Sequence, residues 1–474
     1  MAITRREFLK RAGIATAGTV VVPKLFGGPM VRSAFADTIG DRYLVVLNLD
    51  GGNDGLNTVL PIDDAGGAGL RTAYETFRGA GGGGLRIEEG EMAVPASNPT
   101  DPISGTRLGF HPGLGSLATM YEAGDVAVIQ GTGYPAYSLS HDTSSVIWET
   151  ANPTGMSSIA GSGWGGRHLG LEYGPTDIYG VTINDSIAGE LRTSGTSVLA
   201  IRRLSRFGFP LDEYSDGDDD LAYTSAFQAI HGESAGSAES LTSLVGSSGT
   251  ATYTSTQSYP PLDPLYEADR SAFDDAYSAL GTSTARDLRE VAKCIYGVST
   301  GQPGVTSRFF QVRNGGYDTH ADQGGASGSH FNLHSEVANA VSLFFQDMAD
   351  MGAGNKVTMV IWSEFSRRIP QNANGTDHGS QGPMFVIGEP VTGGIYGNHP
   401  NIAEAALDDR ENTVYSQGGG DPFRSTDFRD VFGTILKHWV NMNEPDILSD
   451  VLPLDVIGPA SEYWQAQNFD MGFL

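Results

Sequence analysis

An α/β architecture, with a mainly parallel central sheet carrying helices on both faces, follows from three features of this chain of 474 residues. Short runs such as 43–49 and 356–362 are almost wholly apolar, as strands buried on both faces require. These runs alternate with segments of helical periodicity, the order that a parallel sheet and its crossovers produce. Four of the runs also stop at an acid, a hydroxyl or a histidine, and ligands in open α/β sheets gather outside the carboxyl ends of the strands.

In chain order, the first strand (43–49, YLVVLNL) ends at Asp50-Gly51-Gly52-Asn53-Asp54-Gly55. A helix is expected near 114–123 and a strand over 126–130, followed by Ser138-Leu139-Ser140-His141 and a helix reaching Thr150. A third strand, 308–312, leads to Asp318-Thr319-His320. The helix expected over 330–351 places Val337, Val341, Phe344, Phe345 and Met348 on one face. The strand 356–362 ends at Ser363-Glu364, a fifth strand covers 384–387, and an amphipathic helix over 427–440 starts with an acid, which suits the positive end of its dipole. The stretch 206–302 breaks the pattern and reads as an insertion or cap beside the sheet. Its acidic run (Asp212, Glu213, Asp216, Asp218, Asp219, Asp220) lacks calcium-loop spacing and reads as a solvated surface.

Composition narrows the function classes. A formal net charge of −27 argues against nucleic-acid binding through a broad basic surface. The single cysteine, Cys294, cannot form an internal disulfide, so stability rests on the core or on bound ions. No run of 18 apolar residues exists, so nothing is expected to span a membrane after processing. The first 36 residues have the basic, apolar, small-residue order of an export signal: Arg5-Arg6 with Phe8-Leu9-Lys10, a weakly apolar stretch, then Ala34-Phe35-Ala36. The paired arginines mark the twin-arginine type. The expected partner during export is therefore the twin-arginine translocase, and the expected location is periplasmic or extracellular. That route carries proteins already folded, which suits a bound ion.

Several residues carry candidate chemistry. Asp50 or Asp54 can offer a carboxylate to a cation, beside glycines that let the backbone approach closely. Ser140 can be a metal-activated nucleophile or simply a helix N-cap, and His141 can position a leaving group or join the ion shell. Asp318 and His320, two apart in an extended segment, can reach one ion. His330 and His334 share a helix face without a nearby acid, which leaves them at the surface or behind the site. Glu364 follows a strand too apolar for an unpaired acid, so an ion or Arg367 must answer it. Asp377-His378-Gly379 lies in a loop suited to an ion ligand. Gly232-Glu233-Ser234-Ala235-Gly236 matches the nucleophile elbow of esterases, but it follows a helical stretch where that elbow needs a strand.

Taken in order, these segments resemble the DUF1501 family of exported bacterial proteins, related to the alkaline phosphatase and sulfatase superfamily. The matching pieces are Leu49 to Asn57, His111-Pro112-Gly113-Leu114, Ser140-His141, Gly163-Trp164-Gly165-Gly166-Arg167, Gly316 to His320, Ser363 to Arg368, Asp377-His378-Gly379 and Gly393 to Gly397. The resemblance implies a phosphate or sulfate ester hydrolase with one or two divalent ions (zinc, manganese or calcium), acting on a small-molecule or glycan ester. By position, Asp50 resembles the first ligand and Ser140 the nucleophile. Asp318, His320 and His378 resemble further ligands, with Asp377 a substitute for a missing one. Glu364 stands where an Asp-His pair should begin, and Phe365 replaces that pair's histidine. In such a mechanism Arg367 balances charge on the transferring group, and His141 or His378 protonates the departing oxygen. The rival reading is an exported, non-catalytic binding or assembly protein on a decayed hydrolase fold.

Overall fold

The computed structural model describes residues 39–67, 69–135, 137–152, 162–193, 195–208, 217–238, 240–402, 420–452 and 468–474. The export signal and the acids Asp212, Glu213 and Asp216 lie outside the described residues.

The strands in chain order are β1 (Tyr43–Asp50), β2 (Val59–Pro61), β3 (Leu108–Phe110), β4 (Val126–Gly133), β5 (Ile178–Thr182), β6 (Ser197–Ala200), β7 (Phe309–Gly315), β8 (Val357–Trp362), β9 (Ser366–Arg367), β10 (His378–Gly379), β11 (Gly382–Ile387), β12 (Gly394–Tyr396) and β13 (Thr426–Asp427). The main sheet runs β12-β4-β11-β8-β1-β7-β5-β6, with β13 also paired to β4. β1 is central and parallel to both β7 and β8. β11 alone runs antiparallel, between β8 and β4. β9 and β10 form a two-stranded ribbon, as do β2 and β3.

Alternation along β1 divides the interior in two. Val45 and Leu47 face one core, with the helices Ser283–Ser299 and Ser329–Asp350; Leu44 and Val46 face the other, with His141–Thr150, Trp164–Glu172 and Phe428–Thr434. The result is a three-layer sandwich, the mainly parallel α/β fold expected. The stretch 206–302 contributes five helices between Gly217 and Ser299. Its later part buries Leu262, Tyr266, Leu288 and Cys294 in the first of these cores, so it is built into the domain rather than perched on it. Ser234 lies on the helix Gly217–Ala235, with no strand before it, which removes the esterase elbow. Among the described residues, no helix is long and apolar enough to cross a membrane.

The loop after β1 is supported from beneath by three buried histidines, His111, His330 and His334, with ring centroids 4.1–5.0 Å apart. His330 Nε2 bonds Asn53 Oδ1 at 2.9 Å, and His334 Nε2 bonds Thr58 Oγ1 at 3.1 Å. These two histidines are therefore support for the loop and not surface groups. The Gly113 amide donates to His111 Nδ1, leaving the proton on Nε2 to meet the Gly325 carbonyl at 3.0 Å. Burial holds all three imidazoles below their ordinary range, His111 at about 4. A histidine whose folded pKa is depressed contributes stability that is complete above its unfolded value and is lost as pH falls toward the folded one. Relative to His111→Gln, the wild type is therefore expected to lose about 3 kcal/mol of unfolding free energy between pH 6.5 and 4 in urea titrations. A difference that stays constant with pH would contradict this reading of His111.

Candidate metal centre

Four loops deliver the site to one end of the sheet. The loop after β4 leads to the helix His141–Thr150, the loop after β7 holds Asp318 and His320, β8 is followed by Glu364, and the β9–β10 ribbon sets Arg367 opposite His378. The glycines after β1 make this convergence physically feasible. Gly51 has φ +117°, and a β-carbon there would meet the Asp318 amide nitrogen at 2.4 Å; one on Gly52 (φ +77°) would strike the Phe365 ring at 2.3 Å.

Asp318 is the centre of the cluster. Its Oδ1 lies 3.2 Å from both His320 Nε2 and His378 Nε2, and its Oδ2 lies 3.5 Å from His141 Nε2. His320 Nε2 and His378 Nε2 are 2.9 Å apart. Each ring is oriented from behind through Nδ1: His141 by Glu364 Oε1 at 2.7 Å, His378 by the Leu139 carbonyl at 2.7 Å, and His320 by Asp377 Oδ1 at 3.2 Å. These acceptors place the protons on Nδ1 and leave the Nε2 lone pairs bare. Bare lone pairs this close to one another and to a carboxylate repel unless a positive charge stands among them. His141 Nε2 is buried and has no hydrogen-bond partner. His141, Asp318 and His378 bring their donor atoms within 4.8 Å of one another, as ligands of one ion must. These residues fit a divalent metal.

The Glu364 hydrogen bond holds His141 above its ordinary value. Burial opposes ionisation of Asp318, but the Arg367 guanidinium at 2.7 Å outweighs it and holds that carboxyl at about 2. Burial holds His378 below its usual range, in the neutral form that ligation requires. The buried Phe365 ring packs on His141 and His378, with centroids 4.8 and 4.5 Å away, and keeps water from one side of the centre.

Six expected roles change. Asp54 is not a ligand: fully buried, it forms a two-pronged ion pair with Arg78 at 2.8 and 2.9 Å and accepts from Gln323 Nε2 at 2.6 Å. Asp50 is ion-paired with Arg313 and lies outside the converging group. Glu364 is answered not by Arg367 but by His141 and by the Gly51 amide at 2.9 Å. Asp377 orients His320. Arg367 is buried, and every nitrogen is occupied: Nε by the Gly52 carbonyl, Nη1 by Thr376, and Nη2 by Gly51, Tyr317 and Asp318. It positions the site, and its side chain is fully buried. Ser140 caps the helix, its Oγ accepting from the Thr143 amide at 3.5 Å, and its hydroxyl is exposed. Arg78, Gln323 and the Leu139 carbonyl carried no signal in the sequence, because nothing in their spacing marks them as partners of residues far along the chain.

The fold is α/β and the site fits a metal. By a match to the family model over residues 99–417, the chain belongs to the DUF1501 family, whose description is a protein of unknown function. No curated relative matches the chain. Among solved structures, it is similar to a protein in the alkaline phosphatase superfamily from Vibrio parahaemolyticus, at 9% identity and TM-score 0.28, covering 76% of this chain and 62% of that one. The chain thus spans about three fifths of that protein's length. It is also similar to the PsFucS1 sulfatase from Pseudoalteromonas sp., at 9% identity and TM-score 0.27, covering 78% and 68%.

Removing one partner of the Arg78–Asp54 pair strands a buried charge. Arg78→Met is expected to cost about 3–5 kcal/mol in chemical denaturation while leaving metal content per folded molecule unchanged. Loss of metal at full stability would return Asp54 to the ligand set.

Proposed function

We propose that this is an exported hydrolase with a single metal ion, cleaving phosphate or sulfate esters of small molecules or glycans with water as the nucleophile. The twin-arginine translocase is the expected export partner, and the protein would act in the periplasm or outside the cell. The observation that carries the reading is the convergence of His141, Asp318 and His378, each oriented from behind. A divalent ion held there would act as a Lewis acid and make a bound water a competent nucleophile at neutral pH. Three protein donors leave such a centre open on one side, as catalytic sites require.

His320 stands on that open side, with Nε2 beside His378 and Asp318 and its side chain 46% exposed. With Asp377 holding Nδ1, the bare Nε2 of His320 is placed to take a proton from the attacking water. Glu364 keeps His141 in its ligating orientation, and Arg367 keeps Asp318 ionised and aimed. Because Arg367 is fully buried and the neighbouring exposed groups include Asp142 and Asp377, an anionic ester would find little positive charge beyond the ion itself. A singly charged ester, such as a sulfate monoester, suits this balance better than a dianion.

Metal analysis combined with a panel of chromogenic sulfate and phosphate esters tests the reading. The wild type should carry one equivalent of metal and turn over at least one ester. His378→Ala should lose both, His320→Ala should keep the metal while turnover falls about 100-fold or more, and Ser140→Ala should change turnover only a few-fold. A Ser140→Ala variant that keeps its metal but is inactive would restore the serine nucleophile. Stoichiometric metal without turnover on any ester would favour the non-catalytic binding protein.

A further inference from the structure

The helix that begins at His141 carries a second acid at its other end, away from the histidine centre. Glu149, half-buried, has no hydrogen bond to its carboxylate among the described residues, and its Oε2 would lie 1.8 Å from a β-carbon on Gly189. Gly189 does not have a left-handed backbone, so its missing side chain serves space, not conformation. The next residue, Glu190, is 1% exposed, and neither of its carboxylate oxygens has a partner. Arg192 and Arg313 lie near enough to be felt by both acids, but Arg313 is paired with Asp50 and neither arginine bonds Glu190.

A buried carboxylate with both oxygens bare, one residue from the glycine against which Glu149 lies, must either hold a proton or hold a cation. Burial, with Glu149 as the next influence, pushes the Glu190 carboxyl up to about 8, so without a cation it traps a proton at neutral pH. Oxygen donors of this kind suit hard cations.

We propose that Glu149 and Glu190 form a second cation site, for a hard divalent ion of the calcium class, separate from the histidine centre. An ion there would tie the His141–Thr150 helix to the segment after β5. It would thereby steady the helix that presents His141.

Calcium chloride titrated into full-length protein dialysed free of calcium tests this, with magnesium and manganese in parallel. The wild type should bind one calcium, release about one proton at pH 7 by calorimetry in two buffers, and gain roughly 3 °C or more in thermal midpoint. Glu149→Gln and Glu190→Gln should lose the calcium response, and Glu190→Gln should melt higher than the wild type without calcium. His378→Ala should keep the response, which separates this site from the histidine centre and from any failure of the hydrolase reading. A wild-type midpoint that no divalent ion moves, a Glu190→Gln variant that still responds, or a His378→Ala variant that does not would each overturn the proposal.

Discussion

Arg367 reaches from β9 to the Gly51, Gly52 and Tyr317 carbonyls, to the Thr376 carbonyl beside β10, and to Asp318, so that one buried guanidinium joins the loops after β1 and β7 to the β9–β10 ribbon. A guanidinium suits this task because its donors are planar, fixed and permanently charged. The arrangement depends on glycine at 51 and 52, since a side chain at either place would push the loops apart. Once the loops are held, Asp318 has one orientation, and the histidines around it acquire a common target.

The second layer is built from acids that do not ligate. Glu364 is fully buried and satisfied by His141, the Gly51 amide and the Ser363 hydroxyl. Asp377 performs the same orienting service for His320 at the exposed rim. Carboxylate-oriented imidazoles are stronger and better aimed ligands than free ones, which suits a centre where only one acid, Asp318, joins the converging donors. The layer beneath is neutral: of the three packed histidines, His330 and His334 bear on Asn53 and Thr58 without adding charge under the loop. Together these layers place donors on one side and leave His320 facing solvent.

Much of this was legible in the sequence. The central strands β1, β7 and β8 announced themselves as apolar runs because they are buried on both faces, and the carboxyl end of β7 pointed to Asp318 and His320. The antiparallel direction of β11 was not legible, since a two-sided apolar run carries no sign of direction. The short strands β5, β6 and β12 were missed because three to five residues containing glycine, serine or threonine give no usable periodicity. At the site, residue types were read better than roles. Spacing shows that an acid lies near the sheet edge, but whether it meets an ion, an arginine or a histidine depends on partners such as Arg78, Arg313 and Leu139 that only the fold brings close. The i, i+4 spacing of His330 and His334 did reveal a shared face, while their burial depended on the loop that covers them.

X-ray absorption at the edge of the metal carried by the purified protein tests the account most directly, because it reads the ligands and not the consequences of binding. A first shell of nitrogen and oxygen near 2.0–2.1 Å, with the outer-shell scattering of two imidazoles, is the predicted result. A shell of oxygen alone, without imidazole scattering, would mean that His141 and His378 converge for some reason other than a shared ion.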